Sequence, residues 1–256
     1  MRTLTATLLL TALAAHAFAH AQCGGPPTTV ITDQLSPYMP PAPDPVAEHV
    51  ERHVGPIRHV LRDLSDTDHP VDLYLVAPDG ERKHWTLVTS GMSGTPMGPD
   101  GVRMELVMRL PARTEFDPEF QLDKRRYWPA LQLKRLARGP AERDSEFRIG
   151  TVVTIHDDDE PLIADTDFDG VLLARPRAFA PAFASFDDGE GDVLLASVVP
   201  LYGAELALAE REGVRTLERK LRERKIDDVV DLDRRNAAGK KNREVRKGRK
   251  KDFSRR

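Results

Sequence analysis

Apolar residues recur at helical spacing after Asp44, where Val46, Val50, Val54, Ile57, Leu61 and Leu64 fall on one stripe. Asp44 is a capping residue type and Pro45 suits a first helical position, so a helix is expected here, kinked or split at Gly55-Pro56. Beyond His69-Pro70 the pattern turns extended. Val71 to Val76 and His84 to Thr89 read as two antiparallel strands joined through a Pro78-Asp79-Gly80 turn. Met104 to Leu110 reads as a third, entered through a long glycine-rich loop from Gly91 to Gly101.

Trp128-Pro129 predicts the start of an amphipathic helix that runs to Arg138, and short strands are expected at Thr151 to Ile155, Gly170 to Ala174 and Asp192 to Val199. The last is almost wholly apolar, which places it at the centre of a sheet. Leu201 to Arg211 and Val214 to Arg224 read as helices, the second with Val214, Leu217 and Leu221 on one stripe and charge around the rest. Strands and helices mix without a repeating βαβ unit. The expected class is α+β: a single domain with a mixed, largely antiparallel sheet flanked by helices.

The two ends have another character. Residues 1–21 carry Arg2, an apolar run from Leu4 to Ala15, and small residues at Ala17, Ala19 and Ala21, the pattern of a secretory signal peptide cleaved before Gln22, with Ala17-Phe18-Ala19 as a second site. Export to the periplasm or medium follows from that reading; a start codon set too far upstream would make the protein cytoplasmic instead. Residues 22–43 form a proline-rich linker or surface arm, since prolines lack the amide that helices and inner strands need. The folded domain is expected over 44–236 and a basic, disordered tail over 237–256. Nothing after residue 25 is apolar for long enough to span a membrane.

Charge divides along the same boundary. The net charge is −3, yet residues 239–256 hold ten Lys or Arg against Glu244 and Asp252, a local +8 that leaves −11 for residues 1–238. An acidic body does not suit phosphate recognition, so only the tail is a candidate for nucleic acid or an anionic surface. The lone Cys23 excludes an intramolecular disulfide and a four-thiolate zinc site, and the residues before it lack the pattern of a lipid-attachment site.

Several stretches approach known chemistry and stop short. His49 and His53 have metal-ligand spacing without a third ligand, and together with His59 they are expected at the surface. Asp165, Asp167, Asp169 and Gly170 imitate the opening of a calcium loop, but its twelfth position is Pro176, so an exposed acidic turn is expected, as for Asp157 to Glu160. Gly91-Met92-Ser93-Gly94-Thr95 approaches a nucleophile elbow, with Thr95 in place of the second glycine. Neither a phosphate-binding loop nor a dinucleotide fingerprint is present.

Val71-Asp72-Leu73-Tyr74, Trp85 to Ser93, Glu105 to Pro111 and Trp128-Pro129 occur in the order seen in one family; Leu133 to Arg138, Gly170 to Leu173, Pro200-Leu201-Tyr202 and Asp228 to Asp231 extend the match. In these blocks the chain resembles the suppressor of fused domain, of the bacterial type. The resemblance implies an α+β domain with no cofactor and no catalysis, which in animals forms one lobe of a Hedgehog-pathway repressor that clamps a transcription-factor peptide. Bacterial relatives are suspected immunity proteins against secreted toxins. It also makes Asp100 the counterpart of a peptide-binding aspartate. The chain departs from the animal pattern in having no room for a second lobe and in carrying the leader and the tail.

The functional reading is a non-catalytic protein-binding module, of immunity type, with its partner on the loop residues Ser90, Gly91, Met92, Ser93, Met97, Asp100 and Arg103. Glycines allow close backbone approach there, and Met92 and Met97 offer adaptable apolar contacts unless they fold back as core. The alternatives are a serine-type hydrolase using Ser93 with His84 or a loop aspartate, and a tail-mediated binder of nucleic acid or an anionic surface. No metal site is expected.

Overall fold

A computed structural model describes residues 33–39, 44–65, 67–117, 119–155 and 167–239. The leader, Cys23, most of the proline-rich stretch, the acidic turn Asp157 to Glu160, Asp165 and the basic tail from residue 240 lie outside the described residues.

The described chain opens with β1 (Asp33–Pro37), inside the stretch read as linker. It pairs antiparallel with β2 alone and Pro37 closes it, which is the edge position that a proline tolerates. Asp44 then caps α1 (Pro45–His53), its Oδ1 accepting from the amides of Val46 at 2.9 Å and Ala47 at 3.1 Å. The helix does not continue to Leu64. Gly55 takes φ +142° and Pro56 follows, and the rest of the apolar stripe becomes β2 (Ile57–Asp63). Ile57, Val60 and Leu61 fit helical spacing equally well, so only the Gly-Pro break and the pairing with β3 (Asp72–Val76) decide the matter.

β4 (His84–Ser90) and β5 (Arg103–Pro111) follow as antiparallel neighbours. Next come α2 (Lys124–Arg143), β6 (Val152–Thr154), β7 (Phe168–Ala174), β8 (Ser185–Asp187), β9 (Asp192–Tyr202), α3 (Gly203–Glu212) and α4 (Val214–Glu223). Among the described residues the strands form one sheet in the order β1-β2-β3-β4-β5-β9-β7-β6, with β8 also on β9. Only β5 and β9 run parallel, and β9 is internal as its apolar run predicts. The helix expected to open at Trp128-Pro129 starts one turn earlier, at Lys124, and carries Pro129 and Pro140 within it.

Alternation puts Leu73, Leu75, Leu87, Met104, Leu106 and Met108 on the face covered by α2. Tyr74, Val76, Val88, Val107 and Leu195 line the other face, beneath α1. His49 of α1 is buried there, against the surface position expected for it. Its Nε2 lies 3.1 Å from the Phe183 carbonyl and its ring stacks on Phe183 and Phe186, so burial holds its pKa below the ordinary histidine value. A third cluster joins α3 and α4 to β7 and β9 through Leu172, Leu201, Leu208, Leu217 and Leu221.

Beyond α4 the chain returns as a strap. The Arg109 amide donates to the Asp228 carbonyl at 3.2 Å and the Val230 amide to the Arg109 carbonyl at 2.9 Å, a short parallel bridge that lays the strap alongside β5. Arg234 ends the strap as a paired, buried cation. It donates to both oxygens of Glu205, at 2.8 and 2.6 Å, and lies over the Tyr202 ring at 4.5 Å.

Candidate functional site

The loop between β4 and β5 is built from the inside outward on Glu105, a fully buried carboxylate in β5. Its Oε1 accepts from the Gly91 amide at 3.0 Å, the Ser93 amide at 2.9 Å and the Ser93 hydroxyl at 2.8 Å. Its Oε2 accepts from the Thr89 hydroxyl. Burial raises the Glu105 pKa, and these four donors oppose the rise. Thr89 also receives the Leu106 amide at 2.8 Å, so a side chain continues the β4–β5 ladder where backbone pairing ends at Val88 and Val107.

Gly91 is required at this turn. Its φ is +126°, and a Cβ there would sit 2.3 Å from the Pro70 carbonyl oxygen. After it, Met92 to Gly94 form a single 3-10 turn. Met92 and Met97 are 1 % and 2 % exposed and belong to the core under α2; the Met97 sulfur accepts the Phe147 amide at 3.4 Å. They are therefore not surface contacts for a partner. In a sheet whose two faces are both covered, a loop residue gains most by joining the core, and methionine fits the irregular space there.

Arg103 fixes the far side. Its Nε donates to the Ser93 carbonyl at 2.9 Å, and its two terminal nitrogens grip Asp188, in the β8–β9 turn, at 2.7 and 2.6 Å. The pairing pushes Arg103 up and Asp188 down from their ordinary pKa values. Ser90 is half-buried, with its hydroxyl 3.5 Å from the Asp44 carboxylate. Of the residues expected to bind a partner, Ser93 and Arg103 are thus committed to holding the loop.

What the loop presents is its tip. Met97 and Val102 exchange two backbone hydrogen bonds, at 2.8 and 3.0 Å, and the Gly101 amide donates to the Gly98 carbonyl at 3.1 Å to close a tight turn. Gly98 and Gly101 both lie at left-handed φ, +63° and +61°. Pro96, Gly98, Pro99, Asp100 and Gly101 are exposed, and the Asp100 carboxylate is 3.9 Å from Arg148.

The geometry bears on the hydrolase reading. His84 opens β4 and Ser93 lies beyond its end, a separation of about 20 Å along the strand. The Ser93 hydroxyl donates to Glu105 in the interior, with no histidine beside it among its hydrogen-bond partners. His84 instead lines a cleft of about 650 Å³ with Ile226, Asp227 and Arg235, and burial lowers its pKa, as does neighbouring Arg109. Among the described residues no three His, Cys, Asp or Glu side chains are grouped to hold a metal ion.

The family model for suppressor of fused protein matches residues 67–235, two thirds of the chain. The chain belongs to the suppressor of fused family. The match takes in β3 to α4, the whole Glu105-anchored loop and most of the strap. Among solved structures, a suppressor of fused homologue from Neisseria gonorrhoeae is similar at a TM-score of 0.56 and 19 % identity, over 75 % of this chain and 94 % of that one. Drosophila Suppressor of Fused is similar at a TM-score of 0.53 and 18 % identity, over 81 % of this chain and 52 % of that one. The chain thus spans about half the length of the Drosophila protein. These likenesses establish the shared fold. No curated protein matches the chain.

Proposed function

We propose that the chain is a non-catalytic protein-binding module whose partner sits on the loop tip from Pro96 to Gly101, centred on Asp100. The observation that carries this reading is how the loop is held. Its interior residues, Met92, Ser93, Met97 and Arg103, are all spent on fixing it, while the tip stays exposed. A tip held in one conformation before binding avoids the ordering cost that a slack loop meets on capture. Glycine at 98 and 101 lets a partner chain approach the backbone, and Asp100 supplies a charge for orientation.

Family membership supports protein binding as the general role. The finer form, neutralisation of a secreted toxin in the manner of an immunity protein, agrees with a leader of signal-peptide pattern. A serine-type hydrolase is the weaker reading, since the Ser93 hydroxyl is already a donor inside the fold.

Affinity capture by the full chain, read by mass spectrometry and compared with capture by Asp100→Arg, tests the proposal. A protein partner held by the first and released by the second supports it. Equal capture by both places the contact elsewhere.

A further inference from the structure

We infer that His49 is an acid-sensitive latch: its protonation lifts the segment from Pro181 to Asp188 off α1, and the β4–β5 loop then loses the brace it draws through Arg103. The inference rests on the reading of that loop as the partner site and gives the site a form of regulation.

His49 is 4 % exposed, covered by a 3-10 turn (Pro181–Ala184) and by β8 after it. Its ring centroid is 5.5 Å from that of Phe183 at an interplanar angle of 9°, and 4.6 Å from that of Phe186 at 23°. Nε2 lies 3.1 Å from the Phe183 carbonyl, which can only accept, so Nε2 carries the hydrogen of the neutral ring. Among the described residues none bonds to Nδ1. A proton added there finds no acceptor.

Two phenyl faces attract a cation, but they also shut out the water that an imidazolium needs. Arg52 and His53 of the same helix add like charge, the His53 ring at 4.6 Å between centroids, so the neutral ring is favoured. The covering residues from Pro181 to Phe186 hold no ionisable side chain. The sheet face beneath is apolar apart from Tyr74, whose hydroxyl is donated to Asp44. Farther out, Asp187 is exposed, and Arg109 lies over Phe179 at 5.8 Å while paired with Asp227 and Asp228.

Little else holds the covering segment. β8 pairs with β9 through Ser185 to Asp187 alone, and between Pro181 and Asp188 only Phe183 is buried. Segments with so few buried contacts are the first to open. The segment ends on Asp188, which takes both terminal nitrogens of Arg103 at 2.7 and 2.6 Å, while Arg103 Nε donates to the Ser93 carbonyl at 2.9 Å. β5 and β9 run parallel with Arg103 opposite Val193, so the β4–β5 loop and the β8–β9 turn meet at one end of the sheet. Lifting the segment withdraws Asp188 and leaves Arg103 unbraced beneath the loop.

Amide hydrogen exchange of the full chain, read by mass spectrometry at pH 7.5 and 5.5 and corrected for intrinsic rates, tests the latch at both ends, residues 181–188 and residues 91–97. A histidine that takes up a proton near its ordinary 6.5 only when the segment is lifted favours lifting by about tenfold over that interval. Both stretches should lose protection by about that factor in acid. His49→Gln, which keeps an amide donor for the Phe183 carbonyl, should abolish the pH dependence of both. Asp188→Asn, which takes the charge from the brace, should keep it at residues 181–187 and remove it from residues 91–97. Wild-type protection that changes by less than about twofold in either stretch, or an acid loss that survives His49→Gln, would overturn the inference. Should His49→Gln fail to fold, Asp188→Asn decides the matter, since an acid loss that persists in the loop without the brace would overturn it as well. The measurement uses no partner, so its failure leaves the loop-tip reading standing, and a failed capture by the loop tip leaves the latch standing.

Discussion

The Ser93 hydroxyl donates to Glu105 Oε1 across 2.8 Å, and this bond defines what the β4–β5 loop can do. It turns a residue that looks like a nucleophile into part of a buried frame. Glu105→Ala would leave four donors without their acceptor, with an expected loss of at least about 3 kcal/mol in chemical denaturation. Ser93→Ala removes one donor and should cost about 1–3 kcal/mol. If Ser93→Ala instead left stability unchanged and abolished a hydrolytic activity, the hydrolase reading would replace the binding one.

The loop base should behave as core. Met97→Ala deletes a side chain that is 2 % exposed and is expected to destabilise by about 2–5 kcal/mol. Gly91→Ala brings a Cβ against the Pro70 carbonyl at a φ that suits glycine, with an expected loss of about 2 kcal/mol or more. Asp100→Ala, at an exposed tip, should stay within about 0.5 kcal/mol of the wild type. Thermal or urea unfolding of the three variants reads the ranking directly.

Local signals found most of this fold. Asp44 and Pro45 announced α1, the apolar run of β9 announced a central strand, and the blocks from Val71 to Asp231 announced the family. The errors fall where two periods coincide or where distant residues decide. Ile57, Val60 and Leu61 fit helix and strand alike, and pairing with β3 chose strand. His49 is buried because Phe183 and Phe186, far along the chain, close over it. At the site, glycine spacing located the loop but not which residues point inward. Met92 and Met97 are apolar in a polar loop, which marks either a contact surface or an anchor. Glu105, an acid in the middle of an apolar strand run, was the available sign that the loop was tied down, since a buried carboxylate needs donors.

Acid should weaken the fold through Asp63. Burial alone would raise its pKa, but Arg138, Ser65 and the Val71 amide bring it down to about 2, from an ordinary value of 3.8. A carboxylate with a depressed folded pKa gives its full stabilisation above the unfolded value and loses it as pH falls through the folded one. About 2 kcal/mol should therefore be present above pH 4 and disappear between about pH 4 and 2. Asp63→Asn should remove most of this slope in urea unfolding followed across that range. An unchanged slope would assign the acid sensitivity to other groups.

Export is the expected fate of a chain with the pattern of residues 1–21. Expressed with its own leader, the mature protein should begin at Gln22 and be found outside the cytoplasm, as N-terminal sequencing of the fractions would read. Met1 intact on cytoplasmic protein would contradict it.

The central claim is that a pre-formed loop tip captures a protein partner. The most direct measurement is the ratio of partner recovered by the wild-type chain to that recovered by Asp100→Arg, at equal bait and with matched circular dichroism spectra. Placing a like charge opposite a partner group that Asp100 orients costs several kcal/mol, so recovery should fall by more than about tenfold. Recovery within about twofold of the wild type, well under 1 kcal/mol, would contradict the account.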